Sequence, residues 1–156
     1  MKAYESLNFA EKISRIDSHW TPRVIAEMND YQFKVVKLLG DFIWHDHLDT
    51  DEAFIVLEGQ LRIDFRDGHV LVNAGEMYVV SKGIEHKPFA EQEVKLLLIE
   101  PRGVLNTGDK GGERTAENDL GLPVSRTLLG DRRLHQTSER LRIERQPDPR
   151  RHEEPS

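Results

Sequence analysis

Three histidines and one glutamate stand at spacings that suit a metal site. His45 and His47 are separated by one residue, so in an extended strand both imidazoles lie on the same face. Glu52 follows five residues after His47, and the short turn between them can bring its carboxylate beside the pair. His86 lies far along the chain, so strand pairing must bring it near. Three imidazoles and one carboxylate suit one divalent transition metal ion, namely Fe, Mn, Ni, Cu, Co or Zn.

Other readings of these residues are simpler. An isolated HxH pair is more often a solvated part of a loop, and the acidic run before Glu52 is more often only a turn. The chain contains no cysteine, which excludes disulfides, thiolate ligands and cysteine nucleophiles. A regular framing by glycines favours the metal site, in the order Gly40, His45, His47, Glu52, Gly59, Gly75, Gly83 and His86.

This framing resembles the cupin family. GDFIWHDHLDTDEAFIVLEG, residues 40–59, is similar to the first cupin motif, and GEMYVVSKGIEHKPFA, residues 75–90, is similar to the second. The resemblance covers about residues 22–101. It implies a β-barrel of jelly-roll type, a homodimer, and one metal ion held by His45, His47, Glu52 and His86.

The sequence departs from the family pattern at three points. Gly40 stands one residue closer to His45 than is usual, Ser81 replaces a proline, and Ala90 replaces an asparagine. These changes affect turn rigidity and strand termination. None of them removes a ligand, so the predicted metal site is unchanged.

Short strands separated by turn signals must position these ligands. The dipeptides Asn29-Asp30 and Asp67-Gly68 predict hairpins, and QLRIDF alternates apolar and polar residues as a half-buried strand does. Residues 7–16 have apolar side chains at near-helical spacing, which predicts one short helix capped by Ser6 or Asn8. The predicted fold class is all-β, an antiparallel cupin-type barrel with a short N-terminal helix and an irregular C-terminal tail.

Composition divides the chain into four segments. We predict an N-terminal helical arm over 1–21, a cupin β-barrel over 22–101, a polar Gly-rich extension over 102–124, and a disordered tail over 125–156. The tail has no lysine and accumulates arginine and proline, although part of it could form a weak helix.

Charge and hydropathy limit the classes of partner and the cellular location that the sequence predicts. A net charge of −6 argues against nucleic acid as the main partner. No apolar run approaches the roughly 20 residues of a membrane span, and the N-terminus lacks the apolar stretch of a signal peptide. The sequence therefore predicts a cytoplasmic protein that binds a small-molecule ligand.

Strand alternation predicts an apolar pocket around the metal. The side chains expected to face it are Ile43, Phe54, Val56, Ile84 and Pro88, with Phe42 and Trp44 on the opposite face.

Such a pocket favours a metal-dependent enzyme acting on a small, partly apolar molecule, most simply an oxygenase, with an isomerase as another possibility. Tyr78 and Lys82 are acid/base candidates only by their nearness in sequence to the motifs. The alternative is a non-catalytic module that binds a metal or a small ligand.

Overall fold

The computed structural model describes residues 4–117 and 120–122. Within them, seven strands follow one short α-helix, and a single turn of 3₁₀-helix comes after the last strand. The elements in chain order are α1 (Phe9–Ser14), β1 (Arg23–Met28), β2 (Tyr31–Asp41), β3 (Glu52–Glu58), β4 (Gln60–Phe65), β5 (Gly68–Asn73), β6 (Met77–Val80), β7 (His86–Pro101) and the 3₁₀ turn Gly108–Lys110.

The predicted helix is confirmed, with Asn8 as its cap. The Asn8 side chain accepts a hydrogen bond from the Glu11 amide at 3.0 Å, which satisfies one of the free N–H groups of the first turn. Ile13 is buried, and Ile16 just beyond the helix is buried in the same apolar cluster. The helix therefore covers one face of the sheet.

Both predicted hairpins form. Asn29 and Asp30 make the turn between β1 and β2, and Asn29 adopts a φ of +54°, a conformation that asparagine tolerates better than most residues. The β4–β5 turn lies one residue earlier than Asp67-Gly68 implies, because Gly68 pairs with Phe65 as the first residue of β5.

β7 is the central strand of the antiparallel sheet. Its 16 residues pair with β2 on one side and with β4 and then β3 on the other, in the order β1-β2-β7-β3-β6. The main apolar core lies on the inner face of this sheet and includes Val36, Phe54, Val56, Leu96 and Leu98. The pairings among the described residues leave the sheet open, so the antiparallel β-fold is confirmed and the closure of a barrel is not.

Gly59, one of the motif glycines, is required by the local backbone geometry. It has a φ of +89°, and a Cβ at this position would lie 2.9 Å from the Glu93 carbonyl oxygen. The turn from β3 to β4 therefore requires a residue without a side chain.

The described part of the 102–124 extension packs against the sheet. Thr107 is fully buried, and Leu122 joins the apolar cluster of Ile13 and Ile16. The Val24 amide donates to the Leu120 carbonyl at 2.8 Å. The predicted tail over 125–156 lies outside the described residues, and the four-segment division stays a prediction.

Within the described residues, the one α-helix has six residues, far short of the length needed to cross a bilayer.

Candidate metal centre

The fold brings the four predicted ligands together at one end of the sheet. Glu52 is the first residue of β3 and His86 is the first residue of β7, whereas His45 and His47 lie in the irregular segment after β2. The backbones of His45 and His86 form an isolated antiparallel bridge with N–O distances of 3.0 and 2.9 Å. This bridge joins the two cupin-like motifs.

The geometry of the four side chains fits a metal ion. One ligand atom from each residue lies within 4.8 Å of all the others, and each side chain is buried. Ligand atoms around an ion at about 2.1 Å stand at most about 4.2 Å apart, so a small contraction would complete the sphere. Imidazole and carboxylate donors suit a divalent transition metal.

Unpaired polar atoms provide a second test of fit. Nε2 of His47 and Nε2 of His86 lie 3.2 and 3.3 Å from Oε2 of Glu52. None of these three buried atoms makes a hydrogen bond of acceptable geometry. Buried polar atoms without partners are rare in native proteins, and a bound cation would satisfy all three.

Backbone carbonyls orient two of the rings in the same way. Nδ1 of His45 lies 2.9 Å from the Ile43 carbonyl, and Nδ1 of His86 lies 2.9 Å from the Ile84 carbonyl. A carbonyl oxygen can only accept, so each Nδ1 carries the proton. In a neutral ring, Nε2 then keeps its lone pair for a metal, the arrangement common among metal-binding histidines.

The electrostatics of the site favour metal-binding protonation states. Burial, with a smaller contribution from His86, lowers the pKa of His45 to about 4, so its imidazole is neutral near pH 7. Burial acts to raise the pKa of Glu52, but the His47 and His86 rings outweigh it and hold that pKa well below its usual range. Burial also disfavours the imidazolium of His47, yet the Glu52 carboxylate prevails and raises the pKa of His47. Any proton that His47 carries on Nε2 would have to leave before that atom could bind a metal.

A largely apolar cavity of about 360 Å³, part of it open to solvent, adjoins the ligands. Phe54 and Pro88 line it as predicted, whereas Ile84 is exposed and Val56 packs in the core. The lining residues are Trp20, Pro22, Val36, Leu38, Phe42, His45, Glu52, Phe54, Pro88, Leu96, Leu98 and Asn106.

The expectation that Phe42 faces away from the metal is wrong. Phe42 is buried in the cavity wall, and its ring meets His45 edge-on at 5.5 Å. Alternation fails here because β2 ends at Asp41, so the residues up to His45 no longer follow the period of a strand. Trp44 does lie outside, where the Arg66 guanidinium stacks on its ring at 3.8 Å.

Trp20 and Asn106 are among the cavity residues that the sequence analysis missed. Trp20 stacks on Phe42 with ring centroids 4.6 Å apart. Asn106 holds the extension next to Trp20. Its side-chain NH₂ donates to the Trp20 and Arg114 carbonyls, and its side-chain oxygen accepts from the Ala116 amide. Nothing in the local sequence signals either role, since both depend on contacts between distant segments.

The 3₁₀ turn holds the segment that carries two of the ligands. Gly108 packs so closely on Asp46 that a Cβ would lie 2.1 Å from the Asp46 carbonyl oxygen. The Asp109 carboxylate accepts from the Leu48 amide at 2.8 Å. Asp46 and Leu48 flank His47, so the extension fixes the position of this ligand.

The remaining candidates lie elsewhere. His19 pairs with Glu93 at 2.8 Å, and His69 is exposed on β5. Tyr78 and Lys82 are exposed, and neither lines the cavity. His135 and His152 lie outside the described residues.

Comparisons with known proteins identify the class to which this fold and site belong. Residues 36–100 match the model of the cupin domain. A cupin-2 domain-containing protein from Shewanella frigidimarina NCIMB 400 is 61% identical, with a TM-score of 0.61, and the match covers 62% of this chain and 94% of that one. The chain belongs to the cupin superfamily, as a small member of it.

Two further relatives are similar over the same region. Protein NMB1881 from Neisseria meningitidis is 38% identical with a TM-score of 0.57, over 62% of this chain and 99% of that one. The uncharacterized protein YdbB of Bacillus subtilis (strain 168) is 42% identical over 64 residues, which are 40% of this chain and 57% of YdbB. The match thus spans less than two thirds of this curated relative.

A more distant structure shares the fold alone. Hydroquinone 1,2-dioxygenase from Sphingomonas sp. TTNP3 is 15% identical with a TM-score of 0.51, over 60% of this chain and 73% of that one.

Proposed function

We propose that this chain is a metal-dependent cupin that acts on a small organic molecule, most simply by an oxygenase-type reaction. The observation that carries the proposal is the convergence of four buried ligand side chains, three of whose ligand atoms make no hydrogen bond, beside an apolar cavity. We also propose that the sheet is the jelly-roll barrel of the family. One divalent transition metal ion would be held by His45, His47, Glu52 and His86.

A bound ion would supply a Lewis acid beside a largely apolar cavity. The surrounding residues orient the ligand side chains and form the wall of the cavity. The Ile43 and Ile84 carbonyls fix the rings of His45 and His86, and Phe42 and Phe54 provide an apolar wall for the ligand's body. His47 would have to be deprotonated at Nε2 to hold the ion.

The second candidate is a non-catalytic module that binds a metal or a small ligand. One observation favours it. Among the described residues that line the metal cavity, His45 and Glu52 are the titratable side chains, and both belong to the proposed ligand set. A reaction that needs a separate acid or base would have to find it in the substrate or beyond this cavity.

Metal identity and oxygen uptake separate the two functions. The protein should be purified without a polyhistidine tag and its metal content measured. Oxygen consumption should then be followed with a panel of small alcohols and carboxylic acids, for protein reconstituted with Fe²⁺, Mn²⁺ or Zn²⁺. Uptake that requires a redox-active ion supports the oxygenase. Native zinc without turnover under any loading favours the binding module.

The cupin resemblance also implies a homodimer, and this stays a prediction. Sedimentation velocity at micromolar concentration checks it, with twice the chain mass as the expected result.

A further inference from the structure

A second cavity, here called the Lys34–Glu100 chamber, adjoins the metal cavity. It encloses about 240 Å³, part of it open to solvent. Pro22 and Asn106 line both cavities, so the two share a wall. The chamber is lined by Pro22, Lys34, Glu100, Val104, Asn106, Ala116 and Glu117.

The strand register places the chamber beside a proposed metal ligand. Ala53 of β3 pairs with Ile99 of β7, so the next residues, Glu52 and Glu100, stand side by side at the same end of the sheet. Both side chains are buried. Glu52 faces the metal cavity and Glu100 faces the chamber, which makes two neighbouring polar sites at the end of an otherwise apolar core.

The chamber contains an ion pair in which one carboxylate oxygen makes no hydrogen bond. Nζ of Lys34 lies 2.8 Å from Oε1 of Glu100, and the two side chains are only 4% and 1% exposed. Oε2 of Glu100 has no hydrogen-bond partner. Burying an ion pair is costly, and leaving a buried carboxylate oxygen unpaired adds to that cost. A ligand group that donates to Oε2 would offset it.

We propose that the Lys34–Glu100 chamber binds a neutral hydroxyl group of the ligand whose other end occupies the metal cavity. This inference rests on the proposed function. A hydroxyl can donate to Oε2 of Glu100, the chamber oxygen that has no hydrogen bond. A carboxylate would be repelled by Glu100 and by Glu117, which also lines the chamber, and an ammonium group would be repelled by Lys34. A methyl group would leave the oxygen unpaired.

A matched series of acids tests this assignment on the full chain loaded with Zn²⁺ at pH 8. Pentanoate, 4-hydroxybutanoate, 4-aminobutanoate and glutarate place methyl, hydroxyl, ammonium and carboxylate groups at the same position. Homologues one and two carbons longer allow for the distance between the cavities. Isothermal titration calorimetry should show, at one chain length, that the hydroxy acid binds at least about tenfold more tightly than the other three, a difference of about 1.4 kcal/mol.

Two double variants link that preference to the chamber. Lys34→Met with Glu100→Leu removes both charges at similar volume and should abolish the preference while zinc content is retained. Lys95→Met with Glu58→Leu removes a more exposed ion pair, which joins β7 to β3 and lies outside the chamber, and should keep the preference.

A preference that survives in the Lys34→Met, Glu100→Leu variant would overturn the inference, and the wild-type affinities can also overturn it. Equal affinity for the methyl and hydroxyl members at every length shows that the chamber holds only solvent and overturns it, leaving the metal cavity intact. Tighter binding of glutarate or 4-aminobutanoate overturns the assignment to a hydroxyl. If no acid binds the zinc-loaded protein, the proposed ligand pocket itself fails, and the inference fails with it.

Discussion

His45 and His86 are 41 residues apart, yet each accepts a backbone hydrogen bond from the other, at 3.0 and 2.9 Å. In each residue, the ring Nδ1 also hydrogen-bonds to the backbone carbonyl two residues earlier, which orients the ring. Side-chain orientation at the centre therefore depends on a backbone bridge that joins the two cupin motifs.

The first prediction is that His45→Ala combined with His47→Ala abolishes metal binding. The variant loses two of four donors, and the remaining pair cannot hold an ion tightly. The metal content measured by elemental analysis should fall from about one divalent ion per chain to near zero. Thermal stabilisation by added metal should disappear, because an ion bound only by the folded state acts by mass action. His69→Ala, at an exposed histidine, is the control and should keep full occupancy. A fully occupied double variant would refute the ligand assignment.

The second prediction concerns the contact between Gly108 and the ligand segment. Gly108→Ala introduces a Cβ that would lie 2.1 Å from the Asp46 carbonyl oxygen, so the backbone beside His47 must move. Metal affinity should fall at least about tenfold, and unfolding free energy should fall by about 2–4 kcal/mol.

Gly103→Ala is the matched control, because Gly103 also has a positive φ but nothing lies within 4 Å of a Cβ there. It should lose only about 1–2 kcal/mol from backbone strain and keep its metal affinity. Equal effects of the two substitutions on metal affinity would mean that the Gly108 contact does not position the ligand.

The third prediction is a pH dependence caused by Glu100. Burial, then the charge of Glu52, raises the pKa of Glu100 to about 7, against about 4.3 in an unfolded chain. Between about pH 4.3 and pH 7, the folded state keeps a proton on Glu100 that the unfolded chain has lost. The contribution of Glu100 to the free energy of unfolding is therefore fully present below about pH 4 and is lost as pH rises towards 7. The full effect is on the order of 3 kcal/mol.

Urea unfolding of the metal-free protein at pH 5 and pH 8 measures this effect. Glu100→Gln cannot ionise, so its stability relative to wild type should increase by about 2–4 kcal/mol from pH 5 to pH 8. Glu91→Gln, at an exposed glutamate on the same strand, should track the wild type at both values. A relative change of the opposite sign would show that Lys34 stabilises the ionised carboxylate more than burial and Glu52 oppose it.

The fourth prediction divides the C-terminal region by two truncations. Removing residues 125–156 should leave metal content unchanged and shift the melting temperature by less than about 5 °C, on the order of 1 kcal/mol for a domain of this size. Removing everything after residue 105 should reduce metal binding, because Asn106, Gly108 and Asp109 contact the cavity wall and the ligand segment. If the shorter deletion also releases the metal, the tail contributes to the centre.

Several features followed from local sequence because short-range physics controls them. The Asn8 cap and the Asn29-Asp30 turn require only neighbouring residues. The spacing of glycines and histidines indicated the cupin family, and the buried group of His45, His47, Glu52 and His86 forms as that resemblance implied.

Only the tertiary structure decided how the cavity is lined. Strand alternation holds within β3, where Phe54 faces the cavity, but it fails for Phe42 because β2 ends one residue earlier. Trp20 and Asn106 enter the cavity wall through contacts with distant segments. In the sequence, Lys34 and Glu100 look like ordinary charged residues of two strands. Their burial beside Glu52 follows from the register of β2, β7 and β3, which no local pattern encodes. Local spacing thus determined which residues could bind a metal, whereas long-range pairing determined what surrounds them.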